Sequence, residues 1–184
     1  MTTSAKLIYL VGPSGVGKDS VLTHLKKHYI TEHQPLVTHR YITRPVRLND
    51  ENHIELSEFD FQRRLNSGLF LFHWQSHGCS YAIGSEVKNW LEQGNSVIMN
   101  GSRQYLNQAR EICPNLIPLW MAVSENVLRQ RLQQRGRESA AEIDARIQRS
   151  LEIDNAKMPD DSTLYNDKNI YHTIAQLLSQ LDSK

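Results

Sequence analysis

From Gly12 to Ser20 the chain reads Gly-Pro-Ser-Gly-Val-Gly-Lys-Asp-Ser, a spacing of glycines ahead of a lysine that binds polyphosphate. The glycines let successive backbone N–H groups turn inward around a β-phosphate, and a helix starting at Lys18 adds the positive end of its dipole. Lys18 then reaches the β and γ oxygens. Gly12, Pro13, Ser14, Gly15, Val16, Gly17, Lys18, Asp19 and Ser20 are the expected nucleotide-binding residues, with ATP as the donor. Asp19 stands where a Ser or Thr ordinarily places a hydroxyl on magnesium, and Ser20 comes one residue late. A carboxylate beside a triphosphate is unfavourable unless a cation lies between them, and Mg²⁺ prefers carboxylate and phosphate oxygens. Asp19 is therefore expected to be a metal ligand, directly or through water; the alternative is a carboxylate that only meets the helix dipole. Many such loops are assisted by an Asp at the end of a neighbouring strand. Here the strand ending in Asn100-Gly101-Ser102-Arg103 carries no acid, which fits relocation of that acid to Asp19.

The other concentration of chemistry is cationic. Arginines crowd from Arg40 to Arg47 and again from Arg129 to Arg149, and the planar guanidinium fork suits phosphate oxygens better than a lysine. Two phosphate-facing clusters are one reading; for the second, an ordinary solvated helix face is the other. His24 and His28 are four apart on an expected helix, but they lack a third ligand and are read as surface residues.

The glycine loop needs a strand before it and a helix after it. Lys6 to Val11 is a compact apolar run that reads as a buried parallel strand, and Val21, Leu22 and Leu25 give the following helix its apolar stripe. Ser57 with Asp60 marks a helix to Leu65, stopped by Asn66-Ser67-Gly68, and Leu69–Trp74 and Ser80–Ile83 read as short strands. Ser85 caps a helix ending before Gly94. A strand at Ser96–Met99, a helix from about Arg103 to Ile112 and a strand at Leu116–Val123 follow. Ser124 opens a helix to Gln134, Gly136 breaks it, and Ser139 with Glu142 makes a capping box for a long helix toward Asn155. A strand at Leu164–Asn166 and a helix to Leu181 complete the pattern. Such alternation implies an α/β fold with a parallel central sheet flanked by helices and ligands at the carboxyl ends of the strands.

The length of 184 residues fits a single domain, residues 1–184, and shows no repeat or linker. A net charge of +1 gives no global basic field for nucleic acid and no acidic excess for disorder. Cys79 and Cys113 have no metal-ligand or redox spacing. The opening MTTSAKLIYLVG runs into the glycine loop, and no segment approaches membrane-spanning length. A soluble, cytoplasmic protein without a membrane or nucleic-acid partner is expected.

The glycine loop, Thr43-Arg44-Pro45, the segment with Arg131, Arg135-Gly136 and Arg146, and the late Asn166-Asp167 together resemble the guanylate-kinase-like P-loop kinase family along nearly the whole chain. That resemblance implies a core, an acceptor-binding flap over about residues 38–85 and an arginine-bearing helical lid over about 124–150. The guanine-reading positions are altered. Glu51-Asn52-His53-Ile54 stands in place of a Tyr and a following aromatic, His73-Trp74 in place of an acid before Trp, and Asn100-Gly101-Ser102-Arg103 in place of Asp-x-x-Gly. The strings Gly17-Lys18-Asp19-Ser20, His39-Arg40-Tyr41-Ile42-Thr43-Arg44, Glu51-Asn52-His53-Ile54, Asn100-Gly101-Ser102-Arg103 and Arg135-Gly136-Arg137-Glu138 resemble more closely the ribose 1,5-bisphosphate phosphokinase family. Those enzymes make 5-phosphoribosyl 1-diphosphate (PRPP) from ATP in phosphonate breakdown.

What the resemblance implies is a Mg²⁺- and ATP-dependent transfer to a small phosphorylated acceptor. Lys18, Arg131, Arg135 and Arg146 are then expected around the transferring group. Arg40, Arg44, Arg47, Glu51, His53, Tyr81 and Arg103 are expected on the acceptor. Any single arginine equally fits a surface salt bridge, and His53 and Tyr81 equally fit packing within the flap. Two other functions remain open on the same residues: a guanylate or other nucleoside-monophosphate kinase, and a non-catalytic guanylate-kinase-like binding module.

Overall fold

The computed structural model describes residues 5–28, 30–31, 34–46, 53–136, 138–152 and 157–182. Its organising element is β1, Leu7–Val11, every residue of which is buried. Side chains alternate across a strand, so Leu7, Tyr9 and Val11 face one layer of core while Ile8 and Leu10 face another. Strand β1 leads through the glycine loop into α1, Lys18–Lys27, whose Val21, Leu22 and Leu25 pack on the second layer.

Three short strands follow, which the sequence pattern does not announce: β2 Leu36–Val37, β3 Arg40–Ile42 and β4 His53–Glu55. Then come α2 Glu58–Asn66, β5 Phe70–Ser76, β6 Cys79–Gly84, α3 Glu86–Glu92, β7 Val97–Asn100 and α4 Leu106–Ile112. The chain continues with β8 Ile117–Ala122, α5 Glu125–Arg135, α6 Ala140–Glu152, β9 Ser162–Tyr165 and α7 Ile170–Asp182. Residues 153–156, toward which the helix at 140 was expected to run, lie outside the described residues.

The central sheet has the order β2-β7-β1-β8-β9, and every pairing in it is parallel. One face packs on α3 and α4 through Val87, Leu106 and Ala109, the other on α1 and α7 through Leu22, Leu25, Ile174 and Leu177. The second sheet, β4-β3-β6-β5, is built on the β5–β6 hairpin, which turns at His77-Gly78 with φ of 50° and 73°. Two successive positive φ values match the twist of a tight hairpin. Helix α2 covers this sheet, with its Phe61 and Leu65 packed in one cluster with Ala82 of β6. Helices α5 and α6 form a third, small core from Leu128, Leu132, Ile143 and Ile147.

The capping signals separate into two kinds. Ser57 accepts from the Asp60 N–H at 3.1 Å, and Ser139 with Glu142 forms the reciprocal box, with Ser139 N–H donating to Glu142 at 2.7 Å. Ser85 and Ser124 stand at helix starts without a side-chain capping bond, so the expected Ser85 cap is not made. Instead, the Ser124 N–H donates to Asp167 at 2.6 Å. Helix α4 begins at Leu106 rather than near Arg103, because residues 101–105 are held in a turn by contacts described below.

Asp161 joins three elements. Its carboxylate accepts both Arg110 Nη2 contacts, at 2.9 and 2.7 Å, and the Trp120 indole N–H and the Met158 N–H, each at 2.9 Å. The Asp161 side chain is only 7% exposed, whereas the Arg64–Asp60 pair on α2 is 36% and 40% exposed. Breaking a buried pair costs about 3–5 kcal/mol, an exposed one about 0–1 kcal/mol. Urea denaturation should therefore show Asp161→Ala losing about 3 kcal/mol and Arg64→Ala losing less than about 1 kcal/mol. Equal losses would remove Asp161 as the clamp.

Candidate active site

The glycine loop sits where β1 ends, and its shape is set from behind. Gly17 adopts φ 100°, and a Cβ there would lie 2.5 Å from the Asn166 amide nitrogen, so both conformation and space demand glycine. The same Asn166 nitrogen donates to the Val16 carbonyl at 2.7 Å, and the Thr173 hydroxyl donates to its Oδ1 at 2.7 Å. Arg131 donates to the Val16 carbonyl at 3.2 Å and the Asn166 carbonyl at 2.8 Å. Asn166 is buried, so its amide is a fixed brace.

In front of the loop lies an open cleft of about 1010 Å³. Its walls include the loop from Gly12 to Ser20 other than Val16, then Arg40, Arg44, Tyr81, Arg103 and Arg146. Three of these cations have identifiable partners within the protein. Lys18 Nζ donates to the carbonyls of Gly12 at 2.7 Å and Pro13 at 3.1 Å. Arg146 donates to the Ser14 hydroxyl at 2.8 Å and pairs with Glu138. Arg40 lies 3.9 Å from Asp19, with its guanidinium over the Tyr81 ring at 5.7 Å, and Tyr81 stacks on Trp74. Burial lowers the Arg40 pKa from its ordinary value and the Asp19 carboxylate opposes that shift; a guanidinium nevertheless stays charged.

Several expected residues stand elsewhere. Arg131 does not line the cleft; it faces the back of the loop and supports it, a different position from the phosphate-facing one expected. His53 is buried and its Nε2–H donates to the Arg44 carbonyl at 3.1 Å, which ties β4 to the segment after β3 rather than facing the cleft. Val16 is buried in the core beneath the loop. Arg47 and Glu51 lie outside the described residues, as does the side chain of Arg135.

Other residues shape the cleft without having been singled out in the sequence. Tyr9 is fully buried in the central strand, and its hydroxyl both donates to the Ser102 carbonyl and accepts from the Ser102 N–H, each at 3.1 Å. Gly101 permits this, since a Cβ there would lie 2.1 Å from the Tyr9 ring. Burial raises the Tyr9 pKa well above its ordinary value, so the hydroxyl remains a neutral donor. A tyrosine in an otherwise aliphatic buried strand was the available signal, because a buried phenol needs a partner. Glu138, which pairs with Arg146, is marked in the sequence only as the end of the Arg135-Gly136-Arg137-Glu138 string.

Asp19 Oδ1 accepts from Asn100 Nδ2 at 2.8 Å. Among the described residues no group of three His, Cys, Asp or Glu side chains could hold a metal. One carboxylate in a phosphate cleft is nonetheless the usual protein share of a Mg²⁺ site, the rest coming from phosphates and water. Asp19 and Ser20 both line the cleft, and this donor set fits a hard cation.

A model of the family described as "Guanylate kinase" matches residues 4–183. The chain is 48% identical to "Ribose 1,5-bisphosphate phosphokinase PhnN" of Pectobacterium parmentieri, over 96% of this chain and 93% of that protein. It is 47% identical to the protein of the same name from Yersinia pestis, covering 94% and 89%, and 43% identical to that of Psychromonas ingrahamii, covering 97% and 91%. Among solved structures, a guanylate kinase from Anaplasma phagocytophilum superposes with a TM-score of 0.73 over 99% of this chain and 87% of that one; at 16% identity it speaks for the fold alone. Fold, loop and relatives agree: the chain belongs to the guanylate kinase family, in its ribose 1,5-bisphosphate phosphokinase branch.

Proposed function

We propose that this protein transfers the γ-phosphoryl group of ATP to ribose 1,5-bisphosphate, giving 5-phosphoribosyl 1-diphosphate and ADP, as a step in phosphonate catabolism. The chain is a phosphotransferase by family, and relatives named for this acceptor match nearly its whole length. The observation in the structure that carries the choice of acceptor is the flap side of the cleft. Arg40 and Arg44 line it, and among the described residues there no carboxylate does. Two anionic groups on an acceptor need cations, whereas a guanine edge needs an acceptor such as a carboxylate for its N–H groups.

Residues 38–85 are read as the acceptor flap and 124–150 as the lid of one domain. An oxygen of the acceptor's 1-phosphate attacks the γ-phosphorus, the bond to the β–γ bridging oxygen breaks, and its electron pair leaves on ADP. A phosphate with second pKa of about 6 is largely ionised at neutral pH, so no strong general base is required. The work of the side chains is positioning and neutralisation. Lys18 exchanges its loop carbonyls for β and γ oxygens, and Arg146 exchanges Ser14 and Glu138 for the transferring group. Arg40, Arg44 and Arg103 hold the acceptor, with Tyr81 beneath Arg40. Arg131 keeps the loop in shape from behind. Held through Asp19, Mg²⁺ would supply charge neutralisation at the phosphates.

The test is a coupled ADP-release assay with ribose 1,5-bisphosphate and with GMP, the product identified by mass. Acceleration by the bisphosphate with formation of the 1-diphosphate is expected, and acceleration by GMP alone would overturn the acceptor assignment. In the same assay Lys18→Ala should lose at least about 100-fold in turnover while keeping its melting temperature. Near-normal turnover in that variant would sink the loop's catalytic role.

Asp19→Asn should raise the Mg²⁺ concentration needed for half-maximal rate, because a neutral amide oxygen holds a hard cation less strongly. If Asp19 only met the helix dipole, the change would cost up to about 1 kcal/mol of stability and leave the metal titration in place. Superimposable Mg²⁺ curves would take Asp19 out of the metal site.

A further inference from the structure

Beside the cleft, and sharing Asp19, Arg40 and Asn100 with it, lies a cavity of about 20 Å³ whose walls also include Thr38. A space of about 10–15 Å³ seats one water molecule, provided that polar partners surround it. Two partners are at hand. Thr38 Oγ1 and Asn100 Oδ1 are buried without a hydrogen-bond partner among the described residues, and their residues are 7% and 6% exposed. Leaving either atom bare would be unfavourable, and both belong to residues lining the same cavity. Lys26 and Arg40 line it as well, and its volume is too small for a phosphate.

We infer that one ordered water occupies this cavity, bridging Thr38 Oγ1 and Asn100 Oδ1, and that Thr38 is thereby a positioning residue for Asp19. The connection runs through the Asn100 amide. Its Oδ1 accepts from the water, so its Nδ2 is left facing Asp19 Oδ1, to which it donates at 2.8 Å. Both ends of the bridge stand on rigid backbone. The Thr38 N–H donates to the Ile98 carbonyl at 3.1 Å, and Asn100 pairs with Leu10 in the central sheet. Asp19 consequently takes its orientation from the sheet as well as from its own helix. The consequence for metal binding rests on the reading of Asp19 as the Mg²⁺ ligand; the water itself does not.

Crystal structures of the wild type and of Thr38→Val without nucleotide test the bridge directly. The wild type should show density within hydrogen-bonding reach of Thr38 Oγ1 and Asn100 Oδ1, and in Thr38→Val that density should vanish and the Asn100–Asp19 contact should break. Thr38→Ser, which keeps the hydroxyl, should retain both. In Mg²⁺ titrations Thr38→Val should need about 10-fold more metal at nearly unchanged saturating turnover, as for other residues that orient a metal ligand, and Thr38→Ser should match the wild type. An empty cavity in the wild type, or an Asn100–Asp19 contact that survives in Thr38→Val, would overturn the inference. A metal titration shifted by Asp19→Asn but not by Thr38→Val would overturn the positioning role. A titration unmoved by Asp19→Asn, with the water present and the contact broken in Thr38→Val, would instead overturn the metal reading and uphold the bridge.

Discussion

Electrostatic repulsion between donor and acceptor phosphates is the constraint from which the cleft follows. Two like charges 4 Å apart interact by about 4 kcal/mol at the effective dielectric of a protein surface, and several such pairs meet when a phosphate attacks a triphosphate. The fold must therefore store positive charge at one point and keep it folded when no phosphate is there. Three of its cations have partners within the protein: loop carbonyls for Lys18, Ser14 and Glu138 for Arg146, Asp19 and the Tyr81 ring for Arg40. In the proposed reaction a phosphate, more highly charged than any of these partners, takes their place.

Rigidity is distributed to suit. The loop that meets the donor is tied from behind by Asn166, Thr173 and Arg131, and the all-parallel sheet beneath it is buried on both faces. The second sheet has α2 on one face and joins the main core through Leu71, Phe72 and Ile83 on the other, whereas the α5–α6 pair has its own four-residue core. Small independent cores are the ones that open most cheaply. The α5–α6 pair, read above as the lid, is thus the part that opens most cheaply.

Much of the fold was legible because strong local signals coincide with elements: the run at Leu7–Val11, the Ser57 cap, the Ser139–Glu142 box and the break at Gly136. Strands β2, β3 and β4 were not, since two or three residues carry no periodicity and gain their identity only by pairing with neighbours distant in sequence. The glycine loop, Arg40, Arg44, Arg103 and Arg146 were legible as cleft residues from their chemistry. Arg131 shows the limit of that method. Helical spacing gives the face of α5 on which it lies but not what that face packs against, and Asn166, 35 residues further on, decides the matter. The same holds for His53, whose partner Arg44 is set by strand pairing. Ser85 illustrates a weaker failure, a capping residue type at a helix start whose backbone is already helical and cannot offer its hydroxyl.

Tyr9 links the two halves of the cleft through one strand. Its hydroxyl fixes the Ser102 segment on the acceptor side, while two residues beyond it the same strand ends in the glycine loop. The five residues of β1 therefore act as a ruler between the glycine loop and the Ser102 segment, and neither wall of the cleft can drift without the other. Arg40 lies 3.9 Å from Asp19, so a replacement at this flap arginine is felt by the glycine loop as well as by its own sheet.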